Sequence, residues 1–160
     1  MRVAVHAVGR MKAGPERDLA RRYFDRFGKA GGAVGLDFSG VTETPEGRAS
    51  DAASRKVEEA GKVLAHAEAG TMLVLLDERG KSLSSEDFAA RIGRYRDDGI
   101  KTVLFSIGGP DGHDARLRGK ADLVLSFGAA TWPHQLVRVM LAEQLYRAAT
   151  ILAGHPYHRG

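Results

Sequence analysis

Short runs of apolar residues recur along this chain, with room for one helix between successive runs. The clearest lie at residues 2–8, 71–76, 102–107 and 123–127. Their apolar residues are nearly consecutive rather than alternating, which is typical of strands buried on both faces of a sheet. Because helical patterns separate the runs, the sequence predicts an α/β fold with a mostly parallel sheet and helices on both faces.

Two polar stretches between these elements are predicted to be loops. Residues 39–50 follow a weaker strand at 34–38, and their glycines and proline indicate the most mobile segment of the chain. Residues 77–81 follow the strand that ends at Leu76. We expect Ser50 to cap the helix that comes next in the chain.

Composition narrows the classes of function. A chain of 160 residues is long enough for one domain with its own core, and residues 1–160 are expected to form one domain. The net charge of +4 is a mild basic bias, consistent with nucleic acid without requiring it. Cysteine is absent, which excludes disulfides and thiolate metal sites. No apolar run approaches the ~18 residues of a membrane span, so we expect a cytoplasmic protein.

The helix predicted from Pro15 to Gly28 carries a basic outer face. The residues concerned are Arg17, Arg21, Arg22, Arg26 and Lys29. A solvated surface and an RNA contact are both compatible with this pattern. The solvated surface is the more common case, since charge runs are most often plain surface.

Three predicted strand ends carry residues suited to a ligand site. They are residues 76–77, 107–109 and 127–128. Ligands of parallel sheets bind beyond the carboxyl ends of the strands. Glycine at these ends lets a ligand approach the backbone closely. We therefore expect one binding site where the three ends converge.

The last predicted helix, residues 135–153, is apolar on almost every side. Such a helix has to be buried on almost every side. One face can meet the sheet, and a second copy of the chain is the simplest cover for the other. The sequence therefore predicts a homodimer.

Four motifs in this order resemble one family of proteins. They are IGGPDG at 107–112, TWPHQLVR at 131–138, AEQLYRA at 142–148 and HPYHR at 155–159. The family is the RlmH family of SPOUT-class methyltransferases, which modify a pseudouridine of bacterial 23S ribosomal RNA. The resemblance covers essentially the whole chain and is strongest over the last third.

The resemblance implies a fold, a cofactor and a substrate. The fold would be an α/β domain with a C-terminal trefoil knot, assembled as a homodimer. The protein would bind S-adenosylmethionine in the knot and methylate N3 of a pseudouridine in helix 69 of 23S ribosomal RNA, on assembled ribosomes. The implied cofactor-binding residues are Leu76, Gly108, Phe127, Gly128, Ala129, Ala130, Thr131 and Trp132.

The candidate catalytic residues lie in the same motifs: His134, Arg138, Tyr157, His158 and Arg159. His134 suits either a helix start or the site. The tail residues could grip an RNA phosphate and stack on a flipped base, and a disordered tail is the alternative. No metal site is expected, because His155 and His158 are too few ligands.

Two positions depart from the family pattern. Relatives often have a small hydroxyl residue at the position of Gly128, and Phe or Leu at the position of Trp132. These changes motivate a second hypothesis, a ribosome-binding knot protein without chemistry. An unrelated small-molecule α/β enzyme is the third.

Overall fold

The computed structural model describes residues 1–159 of the chain. The elements are β1 (Arg2–Val8), α1 (Pro15–Gly31), β2 (Asp37–Thr44), α2 (Ala52–His66), β3 (Thr71–Ser82), α3 (Ser85–Asp97), β4 (Thr102–Ile107), α4 (Ala115–Lys120), β5 (Leu123–Ser126) and α5 (His134–Ala153). A single 3₁₀ turn, Gly32–Val34, follows α1. The sheet has the order β2-β1-β4-β3-β5, and every pairing among the described strands is parallel. The predicted α/β fold is therefore confirmed.

Helices cover both faces of the sheet, as the buried strands require. Alternate residues of β3 point to opposite faces. Val74 and Leu76 join the larger core, which is formed with α1, α3 and α5. Leu73 and Leu75 join the smaller core, which is formed with α2 and α4. None of the helices in residues 1–159 combines the length and apolarity that a bilayer crossing needs.

The second strand lies later in the chain than the sequence pattern indicated. The prediction of a strand at 34–38 and a mobile loop at 39–50 is wrong in part, since β2 runs from Asp37 to Thr44. Its pairing with β1 shifts register between Val3 and Val5. The shift coincides with Gly40, whose φ is +99°. A bulge breaks the period-two pattern, which hid this strand from the sequence.

Two local predictions also need correction. Asp51, rather than Ser50, caps α2, because its Oδ1 accepts a hydrogen bond from the Ser54 backbone N–H at 2.8 Å. Residues 77–81 do not form a separate loop, because β3 continues through them to Ser82. Ser84 caps α3 as expected and accepts from the Asp87 backbone N–H at 3.0 Å.

β3 meets β5 twice, and the residues between the two contacts leave the regular register. Leu76 pairs with Leu125 before the shift, and Lys81 pairs with the same residue after it. Between them, Gly80 lies directly on β5, where an added Cβ would stand 2.5 Å from the Val124 carbonyl oxygen. The end of β3 is thus pressed onto the backbone that leads into the last helix. The trefoil knot itself stays a prediction implied by the family.

Helix α5 buries one face and leaves another partly open. Leu141 and Leu145 are fully buried in the core. Leu136 remains 39% exposed, and Val139 and Met140 are half-buried. A helix that is apolar all round is thus only partly covered within one chain. The homodimer stays a prediction.

Candidate functional site

A cavity of about 560 Å³ opens beyond the carboxyl ends of β4 and β5 and beside residues 76–79 of β3. Its volume lies in the range of small-molecule sites. Its walls are the strand ends, the loops at 108–112 and 127–133, and the first turn of α5. The three strand ends therefore converge as predicted. Seven of the predicted cofactor residues contribute to the walls: Leu76, Gly108, Phe127, Gly128, Ala130, Thr131 and Trp132. Ala129 lies in the same loop without lining the cavity, and the cofactor role of all eight stays a prediction.

The loop after β4 is glycine-rich because it packs against its neighbours through the backbone. A Cβ on Gly109 would lie 3.0 Å from Val8 Cγ1. A Cβ on Gly108 would lie 3.4 Å from the His113 ring. Both positions therefore favour glycine on steric grounds.

A bidentate ion pair ties this loop to α2. Arg55 Nε lies 2.7 Å from Asp111 Oδ2, and its Nη2 lies 3.2 Å from Oδ1. Hydrogen bonds from Arg55 lower the pKa of Asp111, so that this carboxylate is ionised near neutral pH. The same guanidinium donates to the carbonyls of Ala49 and Ser50 at 3.0 Å. The cavity rim and the segment before α2 thus share one anchor.

The loop after β5 is held by short-range hydrogen bonds. Ser126 Oγ donates to the Gly128 carbonyl at 2.8 Å and accepts from its N–H at 3.0 Å. Gly128 has a φ of +111°, a conformation that other residues rarely adopt. Thr131 Oγ1 donates to Glu78 Oε2 at 2.7 Å. Trp132 Nε1 donates to the Phe127 carbonyl at 3.3 Å, and its side chain is half-exposed at the cavity.

The candidate catalytic residues fall in three places. His134 lines the cavity at the start of α5. Arg138 is buried one turn later, with Nη1 at 2.7 Å from Glu43 Oε2, in a different pocket. The tail residues lie at the far end of α5. A helix of 20 residues is about 30 Å long, so the tail of a chain does not approach the cavity of the same chain.

The tail packs as an ordered cluster on α5, rather than as the disordered tail considered as an alternative. Tyr157 lies on Tyr146 with ring centroids 4.6 Å apart, and its hydroxyl donates to Glu143 Oε1 at 3.2 Å. His158 Nε2 lies 2.8 Å from Glu86 Oε1. Arg159 is exposed. The catalytic roles of all these residues stay predictions.

Comparison with known proteins agrees with the motifs. A family model described as "Predicted SPOUT methyltransferase" matches residues 1–158. The chain belongs to the SPOUT methyltransferase family. The resemblance to the RlmH family is confirmed by two proteins named "Ribosomal RNA large subunit methyltransferase H". The protein of Mesorhizobium japonicum is 66% identical over 159 residues, and that of Brucella anthropi is 64% identical over 159 residues. In both cases the alignment covers 99% of each chain.

A solved structure also resembles this SPOUT methyltransferase, at a distance. It is the SpoU methyltransferase AviRb from Streptomyces viridochromogenes, in complex with AdoMet. The two are 16% identical with a TM-score of 0.42, and the match covers 97% of this chain and 58% of the other.

Several charged or titratable residues line the cavity without a predicted role, and the most buried of them are Asp77 and His113. The side chain of Asp77 is 6% exposed, and its Oδ2 lies 3.7 Å from Arg118 Nη1. Burial opposes its ionisation, but hydrogen bonds from Arg79 outweigh burial and lower its pKa. His113 is buried beside Ser106, and burial lowers its pKa, so its ring is neutral near pH 7. Its Nε2 lies 3.2 Å from the Ser106 carbonyl, an arrangement in which Nε2 donates. Their only sequence signal is that one follows a strand and the other follows a glycine-rich turn.

Proposed function

We propose that this protein transfers a methyl group from S-adenosylmethionine to 23S ribosomal RNA in the cytoplasm. The observation that carries the proposal is the cavity at the convergent strand ends of a chain from the SPOUT methyltransferase family. The names of its 66% and 64% identical relatives support ribosomal RNA as the substrate.

The walls of the cavity suit the chemistry of this donor. Apolar side chains such as Leu76, Leu125 and Val137 offer a surface for the adenine ring. The backbone of the 108–112 and 127–133 loops offers N–H and carbonyl groups to the polar edges of the ligand. Neither a cation nor a metal is needed to activate a sulfonium, because it already carries its positive charge. The task of the protein is to align donor and acceptor, which can lower the barrier by about 7–11 kcal/mol in favourable cases.

We propose N3 of a pseudouridine in helix 69 as the acceptor, on assembled ribosomes. The ring nitrogen loses its proton and attacks the methyl carbon in line with the breaking carbon–sulfur bond. S-adenosylhomocysteine leaves as a neutral thioether. His134 lies at the cavity, where it can orient the acceptor or receive its proton.

We also propose that the active form is a homodimer in which the tail of one chain serves the cavity of the other. Two observations support this arrangement. The half-covered face of α5 offers an apolar surface to a second copy. The tail and the cavity lie at opposite ends of a helix about 30 Å long, so an antiparallel pair of α5 helices brings them together. Tyr157, His158 and Arg159 then reach the RNA bound at the partner.

A ribosome-binding protein without chemistry is the less favoured alternative. Its motive is that Gly128 and Trp132 depart from the family pattern. Both residues line the cavity without closing it, and the positive φ of Gly128 is one that glycine adopts without strain. Neither departure removes a feature that methyl transfer needs.

The deciding experiment is transfer of labelled methyl from S-adenosylmethionine to ribosomes that lack the modification, with free 23S RNA in parallel. We expect label in assembled ribosomes, at one pseudouridine of helix 69. Label at another nucleotide would refute the proposed acceptor. Binding of S-adenosylmethionine and ribosomes without transfer would instead favour the non-catalytic alternative.

A further inference from the structure

A second, smaller pocket lies on the other side of the first turns of α5. It has a volume of about 270 Å³ and is bounded by α1, β2, the end of β1 and α5. Four arginines and one carboxylate line it: Arg10, Arg17, Arg21, Arg138 and Glu43. The lining therefore has an excess of three positive charges.

Arg138 is held rigidly in this pocket. Its side chain is nine-tenths buried, at 9% exposure. Nη1 donates to Glu43 Oε2 at 2.7 Å, and Nη2 donates to the Gly9 carbonyl at 3.4 Å. The same Glu43 oxygen accepts from the Met11 backbone N–H at 2.7 Å. One carboxylate and one backbone carbonyl thus hold the two Nη atoms, and the third nitrogen, Nε, is buried without a partner among residues 1–159.

Two buried donors of the pocket lack an acceptor within residues 1–159. They are the Nε atoms of Arg138 and Arg17. Buried N–H groups in proteins are almost always hydrogen-bonded, and an oxygen ligand that entered the pocket with a small movement of the covering side chains would satisfy these two. The excess of positive charge selects an anion over water. Guanidinium groups with a fixed donor geometry match the oxygens of a phosphate.

We propose that this pocket binds a backbone phosphate of the RNA substrate, next to the nucleotide that enters the large cavity. The inference rests on the proposed function. The large cavity and the arginine pocket share the first turns of α5, because Val137 lines the one and Arg138 lines the other. In the proposed arrangement, a strand of RNA places its base at His134 and runs its backbone past the neighbouring arginine pocket. The pocket positions the RNA and carries no sequence information.

The test compares arginines of one helix. Arg17→Gln and Arg21→Gln remove pocket charges, whereas Arg22→Gln removes the same charge from an exposed position of α1 outside the pocket. Ribosome binding is measured directly at several KCl concentrations, without methyl transfer. The logarithm of the association constant falls as the logarithm of the salt concentration rises, and loss of one phosphate contact is expected to reduce the magnitude of this slope by roughly one. We expect this change for each pocket variant and not for Arg22→Gln, with affinity for S-adenosylmethionine unchanged in all three.

Equal loss in Arg17→Gln and Arg22→Gln would overturn the proposal, because it would show only a general effect of net charge. Absence of ribosome binding by the wild-type chain would overturn it too. If the slopes change as expected but ribosomes receive no methyl group, the pocket stands and the proposed reaction fails. The two failures are thus distinguishable.

A second measurement separates RNA from free phosphate. Inorganic phosphate is titrated into the ¹⁵N-arginine-labelled chain while the Nε–H signals are followed by NMR. We expect the signals of Arg17 and Arg138 to shift, and that of Arg22 to stay. No shift at Arg17 and Arg138 would overturn the anion site. A shift combined with an unchanged salt slope in Arg17→Gln would overturn RNA as its ligand and leave a site for free phosphate.

Discussion

The two ends of α5 differ in what they are built from. At the N-terminal end, the loops around the cavity depend on backbone geometry, with glycines packed against neighbouring atoms at 108–109 and a glycine with positive φ at 128. At the C-terminal end, the tail is held by side chains, among them Glu143, Arg147 and Tyr157. Where the backbone packs as closely as at Gly109, an added atom has to displace a neighbour. Side-chain clusters tolerate shape changes but depend on single donors and acceptors.

The largest expected effect lies at the backbone-built end, in Gly80→Ala. The new Cβ would stand 2.5 Å from the Val124 carbonyl oxygen and 2.6 Å from its carbon. Because backbone of β5 cannot swing aside like a side chain, we expect a loss of about 3 kcal/mol or more in the free energy of unfolding. Urea unfolding measures it. The control is Gly61→Ala on α2, where an added Cβ would have no atom within 4 Å outside its own stretch of helix. Equal unfolding curves for the two variants would contradict the close contact of β3 with β5.

Gly108→Val tests the cavity rather than the fold. Its Cβ would lie 3.3 Å from the Gly112 carbonyl carbon and 3.4 Å from the His113 ring, and the added methyl groups would crowd the wall of the cavity. We expect the affinity for S-adenosylmethionine to fall at least about a hundredfold, which corresponds to about 2.7 kcal/mol. Calorimetry measures it. Gly119→Val, at an exposed position of α4 with no atom within 4 Å, is the control. Wild-type affinity in Gly108→Val would show that the cofactor binds elsewhere.

How well the structure could be predicted from the sequence also differs from one region of the chain to another. The strands that bring the cavity together, such as 71–76 and 102–107, have continuous apolar runs, and these report burial directly. The bulge at Gly40 and the polar end of β3 do not follow such a pattern, because their pairing is decided by neighbouring strands. The role of His113 in the cavity depends on the path of the loop after β4. The docking of Tyr157 on Tyr146 depends on tertiary contact alone.

Acid is expected to weaken the sheet that leads into the cavity. His6 is fully buried, with Nδ1 at 3.3 Å from Ser106 Oγ and Nε2 at 2.9 Å from Thr44 Oγ1. Burial and the charges of His66, His113 and Lys62 lower its pKa to about 4. The unfolded chain binds this proton near pH 6.5, so stability is fully present above that pH and is lost as pH falls towards 4. We expect a loss of about 2 kcal/mol between pH 7.5 and 5.

Urea unfolding at the two pH values measures this loss, and His6→Gln is the matched variant. Glutamine keeps a donor and an acceptor near Ser106 and Thr44 but does not titrate. Its stability should therefore change less over the same interval. An identical pH dependence in wild type and His6→Gln would assign the acid sensitivity to other groups.

The smallest change in stability is expected at the side-chain end, in Tyr157→Phe. The variant keeps the ring on Tyr146 and loses the hydroxyl, with its hydrogen bond to Glu143 and its interaction with Tyr23. Burial, together with Glu143, raises the pKa of Tyr157 to about 12, so the hydroxyl is protonated and donates. The loss in stability should be about 1 kcal/mol or less. Tyr146→Phe, which removes the hydroxyl from the other ring of the same pair, is the control. We expect Tyr157→Phe to bind S-adenosylmethionine normally and to transfer methyl groups at least about tenfold more slowly.

A mixed dimer of two variant chains tests both ends of α5 in one experiment. A mixed dimer pairs a Gly108→Val chain, whose tail is intact, with a Tyr157→Phe chain, whose cavity is intact. If each tail serves the cavity of its partner, the intact cavity receives the intact tail and one of the two sites works. If each tail serves its own chain, neither site has both parts and activity stays at the level of the single variants. Methyl transfer by the purified mixed dimer therefore decides whether each tail acts at the cavity of its own chain or at the cavity of its partner.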